Sequence, residues 1–381
     1  MNHKCIACGE SLGKKDHLMM CPDMPASAQD IPTEEDIETE KGMDLQLCQC
    51  PSCGLVQFDC EPVSYYRDVI RSGGYSSTMA ELRRKQYRHF IDLCKLKGKK
   101  IIEIGCGQGE FLQVLSEFPV QVYGIEHKKE LAEKAKAAGL NVWQDFTETE
   151  DQLLTDAPFD AFLSFNFLEH QPDPNTMLRC VYHNLSENGV GLITVPSFDY
   201  IIGNGCYYEL LRDHIANYSE DTLRFILSRN GFVVLESDIV NKDTISMIVK
   251  KRPLITIDLM KRNYSSMKEQ MQSFVHERIS AGKTIAVWGA SHQGFTIVST
   301  TGVGEKIEYI IDSAPFKQGR FAPASHVPIV SPDFFFEHKV DSILIIAPGY
   351  TDEIASIIRN RYGAGVEVFA IRTTSIEKLP G

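Results

Sequence analysis

The stretch that most constrains this chain is Lys99-Lys-Ile-Ile-Glu-Ile-Gly-Cys-Gly-Gln-Gly-Glu110, an apolar run closed by three alternating glycines and followed by the helix-like Phe111 to Phe118. The pattern predicts strand, tight turn, helix. Gly105, Gly107 and Gly109 accept positive φ and leave bare backbone for a ligand, while a helix start offers unpaired N–H groups. The loop is therefore expected to cradle a nucleotide-like group. A dinucleotide fingerprint places its third glycine three residues after the second, and that place is Glu110, which disfavours NAD.

Acidic residues narrow the ligand further. Glu103, two before the first glycine, suits a ligand with an ammonium group, and Glu126, ending the strand-like run that starts at Val120, is placed to take both ribose hydroxyls. S-adenosylmethionine has both features. A third strand-like piece, Leu140-Asn-Val-Trp-Gln-Asp145, would bring Asp145 near the adenine amino group. The bland alternative is a glycine-rich turn that only packs a helix on a sheet. Together with Phe159-Asp-Ala-Phe-Leu-Ser-Phe-Asn-Phe-Leu-Glu-His170, these motifs resemble class I S-adenosylmethionine-dependent methyltransferases. Asn166 to His170 follow a strand's carboxyl end, where open α/β sheets place their ligands, and Asn166 is expected to contact the cofactor.

Composition excludes several classes of protein. No run approaches the roughly 18 apolar residues of a membrane span. The start, Met-Asn-His-Lys-Cys, lacks the apolar region of a signal peptide, so a cytoplasmic protein with no membrane partner is expected. A net charge of −12 opposes a polyanionic partner such as RNA or DNA. Seven of the eleven cysteines lie before residue 61, and in a cytoplasmic chain such clustering suggests metal before disulfides. Cys5-Ile-Ala-Cys8-Gly and Cys50-Pro-Ser-Cys53-Gly are two knuckles that together make a tetrahedral four-thiolate zinc site, closed and hence structural. The gap between the knuckles requires a loop, for which the acidic stretch Asp30 to Lys41 is suited. Cys21, Cys48 and Cys60 are left over, and Cys48 competes in principle with Cys50.

The expected fold is α/β. A zinc-binding domain over 1–60 precedes a Rossmann-like methyltransferase domain over 61–252. A Gly-, Ser- and Tyr-rich segment from Tyr65 to Met79 reads as a lid over substrate or as a plain linker. Apolar residues at Ile257, Met260, Tyr264, Met267, Met271, Phe274, Val275 and Ile279 form one helical stripe and predict a connecting helix over 253–281. A second strand and glycine turn, Thr284-Ile-Ala-Val-Trp-Gly-Ala-Ser-His-Gln-Gly294, opens another Rossmann-like domain over 282–381. Its Gly289, Gly294 and Asp312 mimic a nucleotide half-site, with Lys317 and Arg320 as phosphate partners; the alternative is a degenerate unit that only packs.

The layout as a whole resembles the C-methyltransferases that act on nucleotide-linked 4-keto-6-deoxyhexoses. The resemblance rests on the paired knuckles, Ser-Ser-Thr-Met79, Leu-Glu-His170, Val-Pro-Ser-Phe-Asp199, Asp213-His214, Trp-Gly-Ala-Ser-His-Gln-Gly294 and Ile311-Asp-Ser-Ala-Pro-Phe-Lys-Gln-Gly-Arg320. It implies a nucleotide-sugar substrate, His214 as the base that removes a proton beside the ketone, Asp213 as the acid that orients this imidazole, and His170 as the next candidate. The chain also departs from the family. Glutamate is usual where Asp213 stands, and tyrosine is usual where Leu211 stands. The tyrosine expected before Ser-x-Thr-Met falls on Ile70 or Arg71, with Tyr75 or Tyr66 as substitutes. Three other readings stay open: an O-methyltransferase on a sugar or small metabolite, a zinc-ribbon RNA methyltransferase, and a non-catalytic binding module.

Overall fold

The computed structural model describes residues 4–68 and 76–380; Tyr75, one of the expected substrate contacts, lies outside them. The chain forms two compact units, Met1–Pro253 and Leu254–Gly381.

The first unit is built on a seven-stranded sheet in the order Phe232–Val240, Thr244–Lys251, Leu185–Pro196, Phe159–Phe165, Lys100–Ile104, Gln121–Glu126, Asn141–Gln144. The last five of these pair in parallel, whereas Thr244–Lys251 runs antiparallel to both of its neighbours. Helices cover both faces of the parallel part, so Phe159–Phe165 is apolar almost throughout and buried at all but one position. After Lys100–Ile104 the chain moves outward through two strands and then returns to Phe159–Phe165 on the other side. Ligands bind at such a reversal, outside the carboxyl ends of the strands. Helix Ser77–Cys94 starts at Ser76, whose hydroxyl accepts the Met79 N–H, and buries Ala80, Arg83, Tyr87, Phe90 and Ile91 along one face.

A four-stranded antiparallel sheet precedes it: His17–Met24, Met43–Gln49, Val56–Phe58 and, as fourth strand, Ala216–Asn217. The zinc-binding domain that the sequence confines to 1–60 thus takes its last strand from beyond residue 200. Its knuckle residues Cys5, Ile6, Cys50 and Leu55 share one apolar cluster with Phe162, Leu178 and Tyr218. Gln57 is fully buried and accepts the Ile6 N–H at 2.9 Å, and Asn175 reaches the Ile6 carbonyl at 2.9 Å. The gap between knuckles is spanned by the ladder of His17–Met24 with Met43–Gln49, and the acidic stretch forms the exposed connection between these strands.

The second unit carries its own seven-stranded sheet, with Ile285–Trp288 at the centre flanked by Ile310–Ile311 and Ser342–Ile345, all parallel. Helix Asp258–Ser280 belongs to this unit and is not a free connector. Met267, Met271, Phe274 and Val275 pack with Ile285, Val287, Leu344 and Phe369, while the earlier stripe residues Met260 and Tyr264 are exposed. No helix of the described residues is long and apolar enough to cross a membrane.

Candidate active site

The glycine loop after Lys100–Ile104 has positive φ at all three glycines, 70° at Gly105, 61° at Gly107 and 87° at Gly109. They serve different ends. A Cβ on Gly105 would meet the Phe167 ring at 2.9 Å, and one on Gly109 would press on Leu140. At Gly107 the nearest atom is Glu110 Oε2 at 3.5 Å, so this position opens on free space where a ligand can approach backbone.

Glu126 holds the loop in place. Its Oε2 accepts the Gly107 N–H and its Oε1 the Lys128 N–H, both at 2.9 Å. Each carboxylate oxygen can accept more than one hydrogen bond, which suits the ribose diol that the sequence assigns to Glu126. Glu103 is fully buried on the neighbouring strand. Asp145 Oδ1 accepts from the Phe146 N–H and from Gln152 Nε2, both at 2.8 Å, so this oxygen shapes its own loop. Beside these strand ends Phe146 makes edge contacts with Tyr66, His127 and Phe167, and Arg67 lies over its ring.

Next to the loop lies a cavity of about 380 Å³ lined by Gly105, Asn166, Glu169, His170, Asp213 and His214. Asn166 ends its strand with φ of 47°, a conformation that asparagine tolerates better than most residues, and its side chain accepts from Thr194 Oγ1 at 3.0 Å. The two imidazoles stand edge to face, ring centres 4.7 Å apart. His170 Nδ1 lies 2.8 Å from the Asp213 carbonyl, which only accepts, so Nδ1 carries the proton and Nε2 keeps a lone pair. Burial holds His170 down to about 4. It holds His214 down to about 3, with His170 adding to the effect, although part of the His214 ring opens on the cavity. Both rings are neutral at pH 7 and available as proton acceptors.

The Asp213 carboxylate does something other than the sequence suggests. Among the described residues no hydrogen bond joins it to the His214 ring. Its Oδ1 accepts the Ala28 N–H at 2.9 Å and its Oδ2 accepts from the Tyr65 hydroxyl at 2.7 Å. The carboxylate is turned toward residues 28 and 65, and Asp213 contacts His170 through its backbone carbonyl instead.

Three contributors escape a sequence reading: Tyr65, the Ala28-Gln29 turn, and Arg83. Arg83 lines the cavity nearly fully buried, its guanidinium 3.8 Å from the centre of the Phe165 ring. A signal for it exists in the sequence, since Arg83 interrupts the otherwise apolar stripe of Ala80, Tyr87, Phe90 and Ile91.

The four knuckle cysteines converge. Cys5 Sγ to Cys53 Sγ and Cys8 Sγ to Cys50 Sγ are both 3.5 Å, and all four sulfurs lie within 4.8 Å of one another. Zn–S bonds of about 2.3 Å in a tetrahedron need sulfurs just under 4 Å apart, so the donor set fits zinc. Gly9 and Gly54, with φ of 82° and 80°, close the two turns by donating their N–H groups to the Cys5 and Cys50 carbonyls. Burial pushes the Cys8 thiol up to about 11, an uphill ionisation that a bound cation would reverse. Cys48 is buried in the sheet and stands outside this cluster.

Comparison with known proteins finds two family profiles along the chain. Residues 79–237 match the family profile described as methyltransferase domain, and residues 256–371 the one described as C-methyltransferase C-terminal domain. The chain is an S-adenosylmethionine-dependent methyltransferase that carries a C-methyltransferase C-terminal domain. It is similar to C-methyltransferase NovU of Streptomyces niveus, 23% identical over 369 residues that cover 87% of this chain and 86% of that protein. A ubiquinone biosynthesis O-methyltransferase of Xylella fastidiosa (strain 9a5c) is 31% identical over 99 residues, 25% of this chain and 40% of that protein. Among solved structures, the PH0226 protein of Pyrococcus horikoshii OT3 aligns with a TM-score of 0.41 at 12% identity, covering 50% of this chain and 99% of that one.

In this methyltransferase the glycine turn of the second unit is engaged with itself. Asp312 Oδ2 accepts the Ala290 N–H at 3.0 Å and pairs with Lys317 Nζ at 2.9 Å, while Oδ1 accepts the Ala314 N–H at 2.9 Å. Gly289 has φ of 121°, and any side chain on Gly294 would collide with the Gly289 carbonyl. Lys317 is thereby tied to Asp312. Arg320 is exposed on the short strand Arg320–Phe321 and lines a separate cavity of about 520 Å³ with Thr284, Glu308 and Val340. Those three residues precede their strands, so this cavity lies at the amino ends of the sheet, away from the Gly289 turn.

Proposed function

We propose that the enzyme methylates carbon next to the ketone of a nucleotide-linked 4-keto-deoxysugar. The observation that supports this reading is the cavity in which the cofactor-loop residue Gly105 and the strand-end residue Asn166 share walls with two buried, neutral imidazoles. Glu103, Gly107, Glu126 and Asp145 would hold S-adenosylmethionine, which when bound supplies an electrophilic methyl group. His214 takes the proton from the carbon beside the ketone. Its low pKa makes it a weak acceptor in the resting site, but the negative charge that develops on the substrate within the same cavity favours imidazolium and raises its pull. His170, with its tautomer fixed by the Asp213 carbonyl, packs edge to face against the His214 ring and holds it in place. The buried Arg83, which lines the same cavity, supplies positive charge beside the reacting centre.

Four thiolates would hold zinc as a closed, structural ion that fixes the N-terminal sheet. Incubation with methyl-labelled S-adenosylmethionine and a panel of nucleotide ketosugars tests the proposal. Mass spectrometry should show a gain of one labelled methyl, and carbon NMR should place it on carbon. A methyl on oxygen would make the enzyme an O-methyltransferase.

A further inference from the structure

The Asp213 carboxylate is buried; its Oδ1 accepts the N–H of Ala28, in a turn of the four-cysteine module, and its Oδ2 accepts from Tyr65, which itself bonds that turn through Ser27. The direction of the bonds follows from what each group can do. A carboxylate only accepts, so the Tyr65 hydroxyl gives its single proton to Asp213, and Ser27 Oγ, 2.6 Å away, donates to the Tyr65 oxygen. Ser27 Oγ in turn accepts the Asp30 N–H at 2.7 Å, which closes the turn. Burial, reinforced by Asp213, raises the Tyr65 pKa and keeps its phenol protonated. One residue earlier, Arg212 Nη1 donates to the Ala26 carbonyl at 2.9 Å and Nη2 to the Glu61 carbonyl at 3.2 Å. The turn is therefore gripped at both ends, and Ala28 and Gln29 face the cavity that holds His170 and His214.

We propose that turn 26–29 of the four-cysteine module is the acceptor-facing wall of the methyl-transfer cavity, with Asp213 and Tyr65 as positioning residues that latch it there. The wall presents the Gln29 amide and its neighbouring backbone to a hydroxyl-bearing ring, and the latch sets acceptor affinity without touching the reacting carbon. His214 is followed after one residue by Ala216–Asn217, the strand that completes the module's sheet, so the base and the wall are carried by the same small scaffold. The acceptor class rests on the function proposed above; the latch does not.

The test compares wild type with Ser27→Ala, Tyr65→Phe, Asp213→Asn and the Tyr65→Phe/Asp213→Asn double variant, each checked for retained zinc. Amide exchange at Ala28 and Gln29 reads the latch directly, and KM for the ketosugar reads the wall. Loss of a hydrogen bond to a charged group should raise KM about tenfold or more in Tyr65→Phe, with kcat within about threefold and cofactor affinity unchanged. Exchange at Ala28 should quicken by a similar factor, and the double variant should be little worse than the poorer single one, because both changes break the same bond. A fall in kcat of about a hundredfold at unchanged KM in Asp213→Asn would overturn the proposal and return Asp213 to the reacting atoms. So would an Ala28 exchange rate indifferent to Tyr65→Phe. If wild type binds no ketosugar at all, the acceptor reading fails by itself, and exchange at Ala28 still decides the latch.

Discussion

At the scale of single residues the account turns on Gly107, Glu126 and the two histidines. Gly107→Val would fill the one open position of the loop with a side chain, and its φ of 61° is hostile to a β-branched residue. We expect S-adenosylmethionine affinity, measured by calorimetry, to fall by more than tenfold, with melting temperature lowered by the backbone strain. Glu126→Ala should weaken cofactor binding too, with some loss of stability, because the same carboxylate fixes the Gly107 and Lys128 N–H groups. The histidines make a prediction about pH. Their folded values, about 4 for His170 and about 3 for His214, lie below the ordinary value near 6.5. As pH falls below about 6.5 the unfolded chain binds these protons first, so stability falls with pH through that window and continues to fall toward pH 4 and then 3. Melting temperatures from pH 7 down to 4 should show this decline, flattened in the His170→Asn/His214→Asn double variant. Turnover, for its part, should show no acid limb from His214 above about pH 4, since its imidazole protonates only near 3.

At the scale of elements, the sheet of the first unit is legible because its strands are apolar runs that end in glycine or an acid. The expected strands from Val120 and from Leu140 appear as Gln121–Glu126 and Asn141–Gln144, each within a residue or two. Ser219 caps helix Glu220–Arg229, accepting the Thr222 N–H. What is not legible is pairing across the chain. Ala216–Asn217 is two residues with no periodicity of their own, made a strand only by Val56–Phe58 beside it. The contacts of Asp213 span 185 residues to Ala28 and 148 to Tyr65, so no local pattern announces them, and proximity to His214 in sequence suggests a partnership that the fold does not make. The second glycine turn shows the converse. Its sequence reads as a nucleotide site, but Asp312 is consumed by the Ala290 and Ala314 N–H groups and by Lys317. Asp312→Ala should therefore destabilise the second unit by about 1–3 kcal/mol, the usual cost of stranding buried donors, as read by denaturant unfolding. A loss of ketosugar affinity with unchanged stability would instead support a ligand role for that turn.

At the scale of the whole molecule, the first unit joins the sheet that carries the four-cysteine cluster to the sheet that carries the glycine loop, through one apolar cluster and one borrowed strand. Purified protein should carry about one zinc per chain, the stoichiometry of a four-thiolate site. Cys8→Ser should lose the metal and several kcal/mol of stability, while cofactor affinity at permissive temperature changes little. Fully folded, metal-free wild type would contradict the structural role. The central claim is that His214 removes a proton from carbon, and this can be seen apart from methyl transfer. In heavy water, with S-adenosylhomocysteine bound so that no methyl is available, wild-type enzyme should exchange the proton beside the ketone of a nucleotide ketosugar, followed by NMR. His214→Asn should bind both ligands as before and exchange about two to four orders of magnitude more slowly, the usual contribution of a positioned base. Exchange at the wild-type rate in His214→Asn would contradict the account and move the base elsewhere, to His170 first.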